Sequence, residues 1–100
     1  MSDRVIRRVI IRGRVQGVGY RDWTRHVARG RGIEGWVRNR KDGSVEAVFC
    51  GTPDGVSGMI AACRNGPAGS RVESVEERDA VQSNLDLGRP GETFSIVATV

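Results

Sequence analysis

The chain has 100 residues, 38% of them hydrophobic and 28% charged, and carries a net charge of +4. That length supports one core and not two, so a single domain over residues 1–100 is expected. No apolar run approaches the about 20 residues that cross a bilayer, and Met1-Ser2-Asp3-Arg4 opens without an apolar signal core, which predicts a cytoplasmic protein. The cationic excess suits an anionic partner without choosing among nucleic acid, an anionic surface and a small anion. Lys41 is the only lysine, a skew that carries no functional weight. Cys50 and Cys63 have neither CxxC spacing nor flanking histidines, so they read as reduced apolar thiols rather than metal ligands.

Residues 5–12 are rich in β-branched side chains, and Val9 and Ile11 alternate with arginines, which predicts a strand with one solvated face. A glycine-spaced loop, Gly13-Arg14-Val15-Gln16-Gly17-Val18-Gly19-Tyr20-Arg21, comes next. From residue 21 to about residue 31 the spacing of Trp23, Val27 and Tyr20 or Thr24 predicts an amphipathic helix that Gly32 closes. His26, the only histidine, falls on its polar side and has no second ligand at metal spacing. Residues 33–39 and 44–50 alternate around Lys41-Asp42-Gly43, a β-hairpin in which Ile33 and Val37 share a face, as do Val45, Ala47 and Phe49. Asn39 is the last position before that turn, where an asparagine commonly serves turn chemistry. Thr52-Pro53-Asp54 starts a second helix with Val56, Met59, Ile60 and Cys63 on one face, stopped by Asn65-Gly66-Pro67. Residues 71–79 read as an edge strand carrying Val72 and Val75, and residues 80–92 as a mobile polar connection. A terminal strand follows at 94–98, with Phe94, Ile96 and Ala98 on one face.

The order is strand, helix, strand, strand, helix, strand, with a last short strand, and two helices on one face of an antiparallel sheet in a βαββαβ order make the ferredoxin-like α+β sandwich. The scaffold hosts enzymes, RNA binders and regulatory modules alike, so function rests on the loop. Glycines at spacings of four and two let successive backbone N–H groups point to one centre, which makes an anion site. Arg21 falls near a helix start, where the dipole already favours negative charge, and its planar fork meets two phosphate oxygens at once. No Lys-Ser or Lys-Thr pair follows the last glycine and the third glycine of a dinucleotide fingerprint is missing, so nucleotide binding is disfavoured.

Taken with Gly35-Trp36-Val37-Arg38-Asn39 and Asp42-Gly43-Ser44-Val45-Glu46, the loop closely resembles the acylphosphatases, over essentially the whole chain. Thr24 and Phe94-Ser95-Ile96 fit the same family. The resemblance implies hydrolysis of the carboxyl-phosphate anhydride of acyl phosphates, without metal or cofactor, by a monomer acting on a small molecule. It makes Arg21 the phosphate-binding arginine and Asn39 the asparagine that positions the nucleophilic water. Arg31 stands where the family usually has a leucine, Gly30 favours fraying, and residues 80–92 carry no family motif.

The leaving group of an acyl phosphate is a carboxylate, so no strong general acid is needed, and charge stabilisation and placement remain. The N–H groups of Gln16, Gly17, Val18, Gly19 and Tyr20, with Arg21, would hold the equatorial phosphoryl oxygens. A neutral amide holds water with both a donor and an acceptor, which suits Asn39. Neither the glycine loop nor the Gly35-Trp36-Val37-Arg38-Asn39 stretch contains a histidine or a carboxylate, so the proton is expected to pass to the substrate's own phosphoryl oxygens. Two rival readings are an RNA-binding sheet, disfavoured because strand one has no aromatic residue to stack a base, and a non-catalytic anion-binding domain.

Overall fold

A computed structural model describes residues 3–100. The chain runs through β1 (Val5–Arg14), α1 (Tyr20–Gly30), β2 (Glu34–Asn39), β3 (Val45–Gly51), α2 (Pro53–Asn65), β4 (Arg71–Asp79), a single-turn α3 (Gln82–Leu85) and β5 (Phe94–Ile96). One five-stranded sheet has the order β4-β1-β3-β2-β5. The ferredoxin-like architecture is present, with one correction to the sheet. β1, β2, β3 and β4 pair antiparallel, but β5 runs parallel to β2, because the chain crosses the sheet from the β4 edge to the opposite edge before pairing again. β1 extends past residue 12, since β4 still offers partners to Gly13 and Arg14 after a register shift.

The twofold alternation of strands decides which side chains meet the helices. Val9, Ile11, Val37, Val45, Ala47, Phe49 and Phe94 form one buried cluster with Tyr20, Ala28, Val56, Met59, Ile60 and Cys63. On α1 the fully buried line is Tyr20, Thr24 and Ala28, four residues apart, while Trp23 and Val27 are only half-buried beside it. Gly30 is helical rather than frayed, and Arg31 closes the helix by donating its N–H to the Val27 and Ala28 carbonyls. Thr52 caps α2 through its Oγ1, which accepts the Gly55 N–H at 3.1 Å, and the predicted face of α2 is the buried one. Gly35 is flanked in register by Phe49 and Phe94, whose rings stack with centroids 5.9 Å apart. A Cβ at Gly35 would fall 1.8 Å from the Val48 carbonyl oxygen, so the strand passes only as glycine. Ala98, expected inside, is exposed because regular pairing of β5 ends at Ile96.

Residues 80–92 are not a structureless connection. Val81 N–H donates to Asn84 Oδ1 at 2.9 Å, closing α3, and the Trp36 indole N–H donates to the Asn84 carbonyl at 2.7 Å. Trp36 therefore lies buried on the sheet face away from α1 and α2. Beside it Glu46, a polar position in the alternation, has a side chain only 4% exposed. Arg8 Nε and Arg38 Nε donate to its two oxygens at 2.5 and 2.6 Å, and the Arg38 guanidinium sits 4.6 Å from the Trp36 ring centroid. One carboxylate thus links β1, β3 and β2. Desolvation, the largest single influence, pushes the Glu46 carboxyl up, but the hydrogen bonds and charges of Arg38 and Arg8 together outweigh it and hold the carboxyl below its usual range.

Removing Glu46 leaves two arginines facing each other across a buried site, so Glu46→Ala lowers unfolding stability by about 3 kcal/mol in denaturant melts. A carboxyl depressed in the folded state contributes stability that is complete above its unfolded value and is lost as pH falls through the folded one. The gap between wild type and Glu46→Gln is therefore constant near neutrality and narrows below about pH 4. A gap that widens in acid would reverse this assignment.

Candidate active site

Residues 15–19 join β1 to α1, and their backbone is shaped by Gly17 and Gly19 at φ 74° and 78°. A Cβ at either would meet nothing within 4 Å, so the left-handed backbone and not a lack of space selects glycine. Gly19 is also the N-cap of α1 and provides no capping side chain. Among the described residues, no carbonyl or side chain accepts the N–H groups of residues 16–22. A row of unengaged N–H groups thus ends in the free first turn of an eleven-residue helix.

Arg21 is the second residue of α1, half-buried, and it forms no ion pair with any described residue. Its neighbour Asp22 instead binds Arg25 at 3.1 Å. A cleft of about 210 Å³ brings Gly17, Gly19, Tyr20 and Arg21 together with Asn39, and Val15 and Asp22 complete its wall. Loop and asparagine meet because β1 and β2 run in the same direction, each antiparallel to the β3 between them, so their C-terminal ends share one edge of the sheet.

Asn39 does not make the turn. Asp42 does, its Oδ1 accepting the Ser44 N–H at 2.9 Å and the Ser44 hydroxyl at 2.5 Å, with Gly43 at φ 93°. Those two hydrogen bonds, side chain first, bring the Asp42 carboxyl down to about 2. The Asn39 Oδ1, in contrast, is buried without any hydrogen-bond partner. Its backbone is held firmly: the Asn39 carbonyl accepts the Val100 N–H at 3.2 Å, and the Val100 carbonyl accepts the Lys41 N–H at 2.7 Å. A buried acceptor without a partner is an unfilled hydrogen-bonding position, and Asn39 is one of the residues that line the cleft.

The remaining loop side chains turn away from the cleft or support it. Tyr20 points into the core and its hydroxyl donates to the Cys63 carbonyl at 2.7 Å. Burial, then Cys63, pushes that hydroxyl up. Val18 packs half-buried at the margin of the core. The Gln16 carboxamide reaches across to the β2–β3 turn, donating to the Arg40 and Ser44 carbonyls. Neither this nor the place of Asp22 in the cleft wall is visible in the glycine spacing, which speaks only of backbone. His26 is exposed on the outer side of α1. Cys50 and Cys63 are buried and unlinked, and burial pushes the Cys63 thiol up to about 11, so it stays protonated at neutral pH.

Another cleft, of about 320 Å³, lies between β2 and residues 85–93, but Glu34, Asp86 and Glu92 border it against Arg89 alone, the wrong sign for an anion. The sheet aromatics Trp36, Phe49 and Phe94 are all buried, so the described sheet faces offer no surface on which bases stack. No described helix is long and apolar enough to cross a membrane.

A family model described as Acylphosphatase matches residues 7–96. The chain is 57% identical to an acylphosphatase of Bradyrhizobium diazoefficiens over 98 residues, 98% of this chain and 99% of that one. The acylphosphatase structure from Bacillus subtilis is 36% identical at a TM-score of 0.77, covering 93% of this chain and 98% of that chain. The structure of an acylphosphatase from Coxiella burnetii, 27% identical, superposes at a TM-score of 0.82 over 95% of this chain and 94% of the other. Matched along almost its whole length by the family model and by a relative that is itself covered almost from end to end, the chain belongs to the acylphosphatase family.

Proposed function

We propose that the chain hydrolyses the carboxyl-phosphate anhydride of acyl phosphates by holding the phosphoryl group on the N–H groups of Gln16, Gly17, Val18, Gly19 and Tyr20 together with Arg21, while Asn39 holds the attacking water. The reaction class follows from family membership. The division of labour within the cleft is supported chiefly by one observation, that Asn39, whose Oδ1 has no hydrogen-bond partner, lines the same cleft as Gly17, Gly19, Tyr20 and the unpaired Arg21. Water held by the Asn39 carboxamide would present an oxygen lone pair to phosphorus, at roughly 3–3.5 Å in a reactive geometry. The developing charge spreads over the equatorial phosphoryl oxygens, where N–H dipoles fixed in advance need no reorganisation.

The water's proton passes to a phosphoryl oxygen of the substrate. Asp22 lines the cleft too, but its side chain is 76% exposed and engaged with Arg25. The acyl carboxylate departs without protonation.

Purified protein is expected to release inorganic phosphate from benzoyl phosphate with no metal added. Inorganic phosphate and sulfate are expected to raise KM and leave kcat unchanged, because they occupy the same N–H groups as the substrate. Phosphate binding without turnover would make the chain an anion-binding domain only, and noncompetitive inhibition would separate the anion site from the reacting one.

A further inference from the structure

The proposed reaction needs two pieces of chain at a fixed separation: the loop after β1, which holds phosphorus, and Asn39 at the end of β2, which holds water. β1 and β2 are not neighbours, since β3 lies between them. No ladder of backbone hydrogen bonds sets their spacing directly. What spans the gap is a side chain. Gln16 Nε2 donates to the Arg40 carbonyl at 2.7 Å and to the Ser44 carbonyl at 2.8 Å, which uses both of its hydrogens.

Those two carbonyls close the turn that follows Asn39. The Arg40 carbonyl also accepts the Gly43 N–H at 3.1 Å, and the Ser44 carbonyl accepts the Arg40 N–H at 2.9 Å. A hydrogen-bond donor aimed at this pair is therefore locked to a rigid turn and not to a mobile tip. Asn39 is gripped from its other side by the backbone of Val100. We infer that Gln16 is a positioning residue, whose carboxamide sets the distance between the phosphate-holding loop and Asn39, in addition to the N–H that its backbone lends to the loop.

The inference rests on the proposed role of Asn39, and a double-mutant cycle in kcat tests the two separately. Gln16→Ala keeps the backbone N–H and removes the tie. It is expected to lower kcat about tenfold or more, because a misplacement of about 1 Å is enough for such a loss. The inhibition constant of inorganic phosphate is expected to change less than about twofold, since the cradle itself is intact. In an Asn39→Ala background the same substitution is expected to change kcat less than about twofold, because the group it positions is already gone. Gln16→Met, which keeps the length without the donors, gives the same pattern and serves if the alanine variant does not fold. Gln16→Glu is as poor as alanine near neutrality, where a carboxylate faces two carbonyls, and recovers partly in acid as a protonated carboxyl regains one donor.

A tenfold loss repeated in full on the Asn39→Ala background would overturn the inference, as would a loss of phosphate affinity at unchanged kcat or full turnover in both Gln16 variants. Full turnover in Asn39→Ala alone would remove the role of Asn39 and this inference with it. A loss in Asn39→Ala with none in the Gln16 variants overturns only the positioning role.

Discussion

Arg21→Lys is expected to lose about 100-fold in kcat/KM although the net charge of the protein does not change, and Arg21→Ala still more. The guanidinium is a planar fork that meets two phosphoryl oxygens in parallel, whereas an ammonium is a point charge on a longer leash. Arg21 stands in the first turn of α1 and is engaged with no described carboxylate, so in the free protein its charge is not spent elsewhere. A single donor preorganised for transition-state charge is worth about 100- to 1000-fold in turnover, and here the donor is also the one full positive charge lining the cleft. Stability is little affected, since no ion pair is broken. Steady-state kinetics on benzoyl phosphate decides the matter, and wild-type turnover in Arg21→Lys would remove Arg21 from the mechanism.

Asn39→Ala is expected to lower kcat about 100-fold, leave KM within about threefold, and cost about 1 kcal/mol or less of stability. The three numbers belong together. In the proposed arrangement the phosphate contacts lie on the loop and on Arg21, so substrate affinity is expected to persist. Because Oδ1 has no partner in the folded protein, deleting it breaks no hydrogen bond, while an asparagine that built the turn would be missed in a melt. The turn is already closed by Asp42 and Ser44. Turnover is to be measured on protein shown by circular dichroism to be folded. An unchanged kcat would reduce Asn39 to a structural residue.

Much of the cleft is legible without coordinates because its chemistry is carried by backbone. Glycines spaced by four and two, followed by an arginine at a helix start, describe a row of N–H groups wherever the chain goes next, and Gly17 and Gly19 do adopt the left-handed backbone that the pattern requires. The same holds for the helices and the hairpin. Their periods of 3.6 and 2, the Thr52 cap and the Asp42-Gly43 turn are local matters, fixed by residues a few positions apart. Asn39 was open to two readings in the sequence, since turn chemistry and water holding favour the same residue type. In the structure the Asp42 side chain, engaged with Ser44, shapes the turn, and the Asn39 Oδ1 has no hydrogen-bond partner, which leaves the water-holding role to the kinetic test.

By itself, then, the sequence determined the two long helices and the strands, the ferredoxin-like order, the family and the glycine-shaped loop, because each depends on side-chain periodicity or on backbone freedom along a short stretch. Tertiary structure alone decided which polar residues are buried and which side chains bridge separate strands. Glu46 alternates like a solvated residue, yet it is sealed because Arg8 and Arg38, on two different strands, converge on it. Trp36 sits on the face opposite the paired helices, and it is covered by residues 80–92, which cross the sheet to bring β5 alongside β2, and by the Arg38 guanidinium. Gln16 reads as one more loop residue until strand order brings the Arg40 and Ser44 carbonyls to within 2.8 Å of its amide. These contacts join residues from 8 to 48 positions apart. No local pattern records such a meeting, because it is the registration of the whole sheet that creates it.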